Sequence, residues 1–413
     1  MPSMNAKKCW RGLHAIVIVS MLVNVATAED WPCWRGPRHD GISRESISPE
    51  TWPAAGPAIA WRAMVGIGFS AVSIVADRGY TIGNQENVDT IYCLDSESGR
   101  VRWKHSYESA LEPKFFEGGP TSTPTVADDT VYVLGRWGDL FAFDAHNGAV
   151  RWNINVAREA NVRIPGWGFA GSPLVVGDLL LLNVGEAGTA IRRATGEIAW
   201  TSADRDAGYA TPVPLVRDGR PLAIIASGKS YLAVDVQSGR ELWRQRWLVQ
   251  YGCTAADAIV AGEHVFLSSG YTRGAALLRW TDTQPDVVWK SKLMRNQLNA
   301  SVLIDEFLYG IDGNDDEETS LKCMEFSTGE VRWSQPGFGL GSLTAAADKL
   351  LVLSDEGHLT VVAASPASFQ PLAEAKVLDG KCWTAPVLAN GRIYVRSASG
   401  DIACVDVRRA AQE

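Results

Sequence analysis

Short runs in which every second residue is apolar recur along the whole chain, separated by brief polar or glycine-bearing turns. The stretch 122–152 shows the unit plainly. STPTVAD reads as a strand and Asp128-Asp129 as a turn; TVYVLG (130–135) is a second strand, followed by a turn at RWGD. LFAFD (140–144) is a third strand, AHNG a tight turn and AVRWNI a fourth. Asn147-Gly148 gives the backbone freedom that a short hairpin turn requires.

The unit repeats. IYCLDSESGRVRW (91–103), LFAFDAHNGAVRW (140–152), YLAVDVQSGRELW (231–243) and LKCMEFSTGEVRW (321–333) are versions of one phrase. Trp61, Trp103, Trp152, Trp200, Trp243, Trp289 and Trp333 follow one another at steps of 42, 49, 48, 43, 46 and 44 residues. A period of that length marks a repeat architecture with about four strands per unit, and short strands apolar on both faces must be packed on both sides. Each Trp reads as an outer-strand wedge against the neighbouring sheet. Asp95, Asp144 and Asp235, each just before a turn, read as acceptors for backbone N–H groups of that turn.

Six units end at Trp103, Trp152, Trp200, Trp243, Trp289 and Trp333; a seventh, without the Trp, runs to about residue 378. The last, 384–407, supplies only three strands, whereas Pro57–Trp61 is a strand with no unit of its own. Pairing the two closes a ring and hides both edges. The expected fold is therefore all-β: an eight-bladed propeller of four-stranded antiparallel blades, closed by an N-terminal strand. The expected division is a signal peptide at 1–28, a lead-in at 29–56, the propeller at 57–407 and a tail at 408–413. WPCWRGPRHDGIS, from Trp31, is expected either to cross the propeller surface or to cap the first blade.

The signal peptide follows from Lys7, Lys8 and Arg11 ahead of the apolar stretch 12–25 and the small residues Ala26-Thr27-Ala28. The apolar run is shorter than the roughly 20 residues that span a bilayer. Export to a periplasm or the exterior as a soluble protein is expected, with no membrane insertion once the signal is removed. Losing those three cations takes the net charge from −8 to −11, which disfavours nucleic acid. Six cysteines remain after Cys9 (Cys33, Cys93, Cys253, Cys323, Cys382 and Cys404), widely spaced and expected as buried thiols.

Turns between second and third strands and segments leading into first strands should gather at one mouth of the central channel. The candidate binding residues there are Arg136, Trp137, Arg163, Trp167, Asn296, Gln297 and Trp383, with Phe69, Tyr209, Tyr251, Tyr271 and Asn299 nearby. Arg, Trp and Tyr on one funnel suit recognition of a protein or a small molecule. The acidic run Asp312–Glu318 lacks the full calcium-loop pattern and is expected as a solvated loop, so no metal ligand is assigned. No serine elbow, zinc-type His pair, P-loop or dinucleotide fingerprint is present, and no catalytic residue is assigned.

The phrase L-x-x-x-D-x-x-T/S-G-x-x-x-W over eight rounds resembles the repeat of the quinoprotein-like (PQQ-like) propellers. That superfamily includes pyrroloquinoline quinone-dependent alcohol dehydrogenases and the propeller subunit of the outer-membrane barrel assembly machinery. The opening WPCWRGPRHDGIS also resembles that of exported planctomycete-type propellers. The resemblance to the dehydrogenases implies a quinone, a Ca²⁺ site and an adjacent cysteine pair, and this sequence has no Cys-Cys pair. The resemblance to the assembly subunit implies a non-catalytic, monomeric envelope scaffold that binds an envelope protein and needs no cofactor. This sequence lacks the lipid-bearing cysteine of that subunit. The alternatives are an oxidoreductase using quinone with Ca²⁺ or a small-molecule-binding propeller, and then a polysaccharide-active enzyme.

Overall fold

The computed structural model describes residues 28–48, 52–53, 56–114, 116–203, 207–281, 283–314 and 317–408, so the proposed signal peptide lies almost wholly outside the described residues. Eight antiparallel sheets stand around a central channel in the order of the sequence. In the sheet of 125–155 the strands are Thr125–Ala127, Thr130–Leu134, Asp139–Asp144 and Val150–Asn155, innermost to outermost. The strand alternation read from the sequence thus sets the blade directly. A single helical turn, Val156–Glu159, capped by the Asn155 side chain, is the one addition to this blade.

The ring closes as the terminal segments predict. Ile59–Met64 lies antiparallel to Asp401–Asp406, with Ile59 opposite Val405 and Met64 opposite Asp401, so the blade of 387–406 acquires its outer strand from the N-terminal side. Buried Arg396 ties that blade to the first: its Nη1 donates to Ser70 O at 2.8 Å, Thr81 Oγ1 at 3.0 Å and Ile82 O at 2.8 Å. Burial in this apolar seam pulls the Arg396 guanidinium down to about 9.

The periodic tryptophans fasten each blade to the next. Trp103 Nε1 donates to Ala145 O at 3.1 Å, Trp152 Nε1 to Arg193 O at 2.8 Å and Trp200 Nε1 to Val236 O at 2.8 Å. Trp61, Trp103, Trp152, Trp200 and Trp289 lie against the turn glycine of the following blade; a Cβ on Gly148 would sit 2.6 Å from the Trp103 ring. The fifth and seventh blades break the series, because their last turns have no glycine. Trp243 packs edge-on against Trp280 of the fifth at 5.3 Å with Nε1 unpartnered, whereas Trp333 Nε1 still donates to Ser365 O of the seventh at 2.8 Å. The turn aspartates behave as expected: Asp95 Oδ1 accepts from Glu97 N and Ser98 N, and Asp235 Oδ1 from Gln237 N and Ser238 N. The six cysteines after Cys9 are buried free thiols.

One departure from uniform four-stranded blades changes the channel. Ile42–Ser43 adds to the innermost strand Ser342–Ala346 in parallel, making the seventh blade five-stranded. This addition is part of a longer crossing. Trp31 pairs with Ile74 of the first blade, Pro32 O accepts from Val126 N of the second, and Arg35 Nη2 donates to Ser301 O beside the sixth. Glu45 accepts from Asn390 N and Gly391 N of the eighth. The lead-in is a plug across the channel rather than a cover over one blade.

Candidate functional site

Above the plug the channel mouth opens into a cavity of about 220 Å³. Its floor is Trp34 and its walls come from segments leading into first strands: Phe69, Trp167, Tyr209, Gln297, Asn299 and Trp383, with Phe116 and Tyr271 from loops. These segments leave the outer strand of one blade and drop to the innermost strand of the next, which carries their side chains to the axis.

The rings form two arcs. Phe69 stacks on Trp383 with centroids 5.6 Å apart and touches Phe116 at 5.7 Å. Trp167 meets Tyr209 and Tyr251 edge-on at 5.5 and 6.1 Å, and Tyr251 meets Tyr271 at 5.6 Å. Tyr251 is 67% exposed and sits at φ 58°, a left-handed conformation that is costly for an aromatic residue.

The floor carries one buried carboxylate. Trp34 Nε1 donates to Asp257 Oδ2 at 2.6 Å and Thr211 N to Oδ1 at 2.7 Å, while Arg35 Nε lies 3.9 Å from Oδ2. Desolvation raises the Asp257 pKa against the opposing pull of Arg35, Trp34 and Thr211.

The seven candidate residues separate into two sets. Trp167, Gln297 and Trp383 line the cavity. Arg136 is buried, and its guanidinium donates to Trp167 O at 3.0 Å and Leu111 O at 2.6 Å, so it shapes the wall instead of facing a ligand. Half-buried Trp137 donates to Ala110 O at 2.7 Å under that guanidinium. Asn296 is buried and bonds to Ile311 O and Ser301 Oγ. Arg163 is exposed on the surrounding surface. Sequence reasoning missed Trp34, Phe116, Thr121 and Asp257. Trp34 alone carried a signal, as the second Trp of WPCW.

Asp312 differs from the solvated loop expected of the acidic run. It is buried, accepting from Arg295 Nε at 2.9 Å, Arg295 Nη2 at 2.8 Å and Lys322 Nζ at 2.7 Å. Asp315 and Asp316 lie outside the described residues. Among the described residues no group of three or more His, Cys, Asp or Glu is placed to hold a metal ion.

The quinone of the related dehydrogenases is a tricarboxylate, and its fit can be judged on the donor set. Asp257 is the one charged side chain among the described residues lining the cavity; Arg35, 3.9 Å from it, is outside the lining and donates to the Asp40 and Ser301 carbonyls. Three carboxylates would meet a fourth with no lysine or arginine in the lining to pair them, so these residues do not fit that group.

A family model described as outer membrane protein assembly factor BamB matches residues 87–335. The chain is 23% identical over 350 residues to the outer membrane protein assembly factor BamB of Yersinia pestis, covering 79% of this chain and 82% of that one. It is 26% identical over 178 residues to the quinoprotein ethanol dehydrogenase of Pseudomonas aeruginosa, covering 38% of this chain but 26% of the relative. Among solved structures, BamB from Moraxella catarrhalis superposes with a TM-score of 0.63 at 16% identity, covering 86% of this chain and 99% of that one. A europium-containing methanol dehydrogenase superposes at 0.68 with 11% identity, covering 89% and 90%. At those identities the structures establish the shared ring of blades.

Proposed function

The chain belongs to the outer membrane protein assembly factor BamB family, and from that premise we propose that it is an exported, non-catalytic scaffold that docks an envelope protein on its channel-mouth face. Its relative in Yersinia pestis is an outer membrane protein assembly factor. On this reading residues 1–28 are removed on export, 29–56 serve as the lead-in to the propeller 57–407, and the mature chain acts as a monomer in the periplasm. Trp167, Trp383 and Arg163 meet the partner, whereas Arg136, Trp137 and Asn296 hold the surface in shape.

The observation carrying the proposal is Tyr251, which is 67% exposed at φ 58° yet wedged edge-on between Trp167 and Tyr271. A strained aromatic presented to solvent on rigid aromatic supports is the anchor expected of a protein interface. Exposed Ile164, Leu248 and Leu293 lie on the segments around the same mouth and extend its apolar surface. The cavity's donor set also speaks against the quinone-dependent alternative.

The test is capture of outer-membrane assembly proteins from envelope extracts by the mature chain and by a Tyr251→Ala, Arg163→Glu variant. Loss of a captured protein in that variant supports mouth-face docking. Capture that survives this double change but disappears with substitutions on the outer strands would place the interface elsewhere.

A further inference from the structure

Where the leader ends, the fold holds a buried acid. The Glu45 carboxylate accepts from Asn390 N at 2.6 Å and Gly391 N at 2.8 Å in the eighth blade. Its Oε1 also accepts from Glu29 N at 2.8 Å, the first nitrogen after Ala28. We propose that Glu45 is the receptor for the α-ammonium group that signal removal creates on Glu29, so that processing locks the plug to the eighth blade. This rests on the removal of residues 1–28 proposed above.

The cut itself supplies the charge. In the uncut chain Glu29 N is a neutral peptide N–H. Hydrolysis of the Ala28–Glu29 bond by a signal peptidase consumes one water, whose hydroxyl goes to the Ala28 carbonyl carbon and whose hydrogen goes to the Glu29 nitrogen. The Ala28 acid ionises, and the new amine takes up a proton at neutral pH. A hydrogen bond from an ammonium to a carboxylate is about twice as strong as one between neutral groups. Among the described residues Glu45 has backbone N–H donors but no ion pair with a lysine, arginine or histidine, so a buried charge gains the counter-ion it lacks.

The surroundings hold the nitrogen in place. The Glu29 side chain is turned to other partners: Arg38 Nη2 donates to its Oε2 at 3.1 Å and Arg44 N to the same oxygen at 2.9 Å, and Arg38 holds this carboxyl below the usual carboxylate range. It therefore does not compete for its own ammonium. Next along the chain, Asp30 Oδ1 accepts from Ala76 N of the first blade at 2.9 Å and from Asn390 Nδ2 of the eighth at 3.1 Å. Ala28 is exposed, so taking away what precedes Glu29 strips nothing from the core.

The experiment compares the chain beginning at Glu29, released from a cleavable fusion, with one carrying Gly-Ser ahead of it, each with and without Glu45→Gln. Glutamine keeps an oxygen for the Asn390 and Gly391 N–H groups and removes the charge. Trace acetylation at pH 7, read by mass spectrometry, should label the Glu29 amine about tenfold more slowly in the parent than in Glu45→Gln. The Gly-Ser extension should lower the melting midpoint by about 1–2 °C in the parent and leave it unchanged in the Glu45→Gln background. Equal labelling rates, or an extension that costs the same in both backgrounds, overturns the pairing while leaving the cut intact. The intact mass of the exported protein tests the cut separately, and a start other than Glu29 overturns the cleavage reading and this proposal with it.

Discussion

Trp34 and Asp257, 223 positions apart in sequence, are joined by a 2.6 Å hydrogen bond from the indole Nε1 to a carboxylate oxygen at the bottom of the channel mouth. The bond fastens the lead-in to the segment preceding the fifth blade and makes the floor of the cavity. Replacing Trp34 by Phe keeps an aromatic floor but removes one of the donors to a buried carboxylate. Leaving such a group under-bonded costs about 1–3 kcal/mol. Trp34→Phe should lower the midpoint of chemical denaturation by the corresponding amount, and an unchanged midpoint would show that the bond does not hold the plug.

The plug should also respond to mild acid. Half-buried His39 sits beside Cys33 Sγ at 3.8 Å, and burial pushes its imidazole down to about 4, with Asp40 opposing the shift and Arg35 adding to it. The unfolded chain takes up this proton near 6.5 and the folded chain only near 4. The folded state is therefore favoured above the upper value, and stability falls as pH drops between the two. His39→Asn removes the titration while tolerating the residue's φ of 57°. Denaturation midpoints collected from pH 7 to 4 should slope less steeply in the variant, and identical slopes would contradict the assignment.

Among the turn aspartates stability also falls on acidification, but from the opposite cause, since here the folded state favours the charged form. The Arg102 guanidinium, helped by the Ser98 hydroxyl and N–H, holds Asp95 down to about 2 against an ordinary value of 3.8. Its contribution is complete above the ordinary value and is lost as pH falls toward the lower one. Asp95→Asn should lower stability by a constant amount above pH 5 and flatten the acid limb between those values, so that parent and variant converge toward the lower one. A parallel shift of the whole profile would mean that the charge is not what matters.

Gly148 is the sensitive point of the wedge. It holds φ 73°, and an added Cβ would come within 2.6 Å of the Trp103 ring. Gly148→Ala should therefore cost roughly 1–3 kcal/mol from backbone strain alone, with further loss as the indole is displaced. Calorimetric melting of the variant checks this, and a parent-like melt would mean that the blades can separate there freely.

The architecture was legible in the sequence where a local rule repeats. Asp95 and Gly99 stand on either side of a turn that can be read without knowing any neighbour, and the unpaired strand at Ile59 announces its partner by elimination. The cavity was legible only in part, because its walls are irregular segments without periodicity. Trp167 and Trp383 could be placed by their position just ahead of first strands, but Phe116 and Thr121 lie in a long loop that no pattern orients. Arg136 illustrates the harder limit. Its place in a mouth turn is visible, whereas the saturation of its guanidinium by Leu111 and Trp167 carbonyls depends on how that loop folds back. Trp34 and Asp257 have no sequence relation, so their contact exists only once the ring has formed.

Closure of the ring by Ile59–Met64 against Asp401–Asp406 also imposes an order of events on the newly made chain. The latch strand emerges among the first residues of the ring and its mate among the last, as the Arg62 to Asp401 ion pair across 339 positions illustrates. A chain still threading through a translocation pore therefore has every blade exposed to chaperones and proteases until its final strands arrive. Completion of synthesis and export is thus the step at which this molecule first becomes durable.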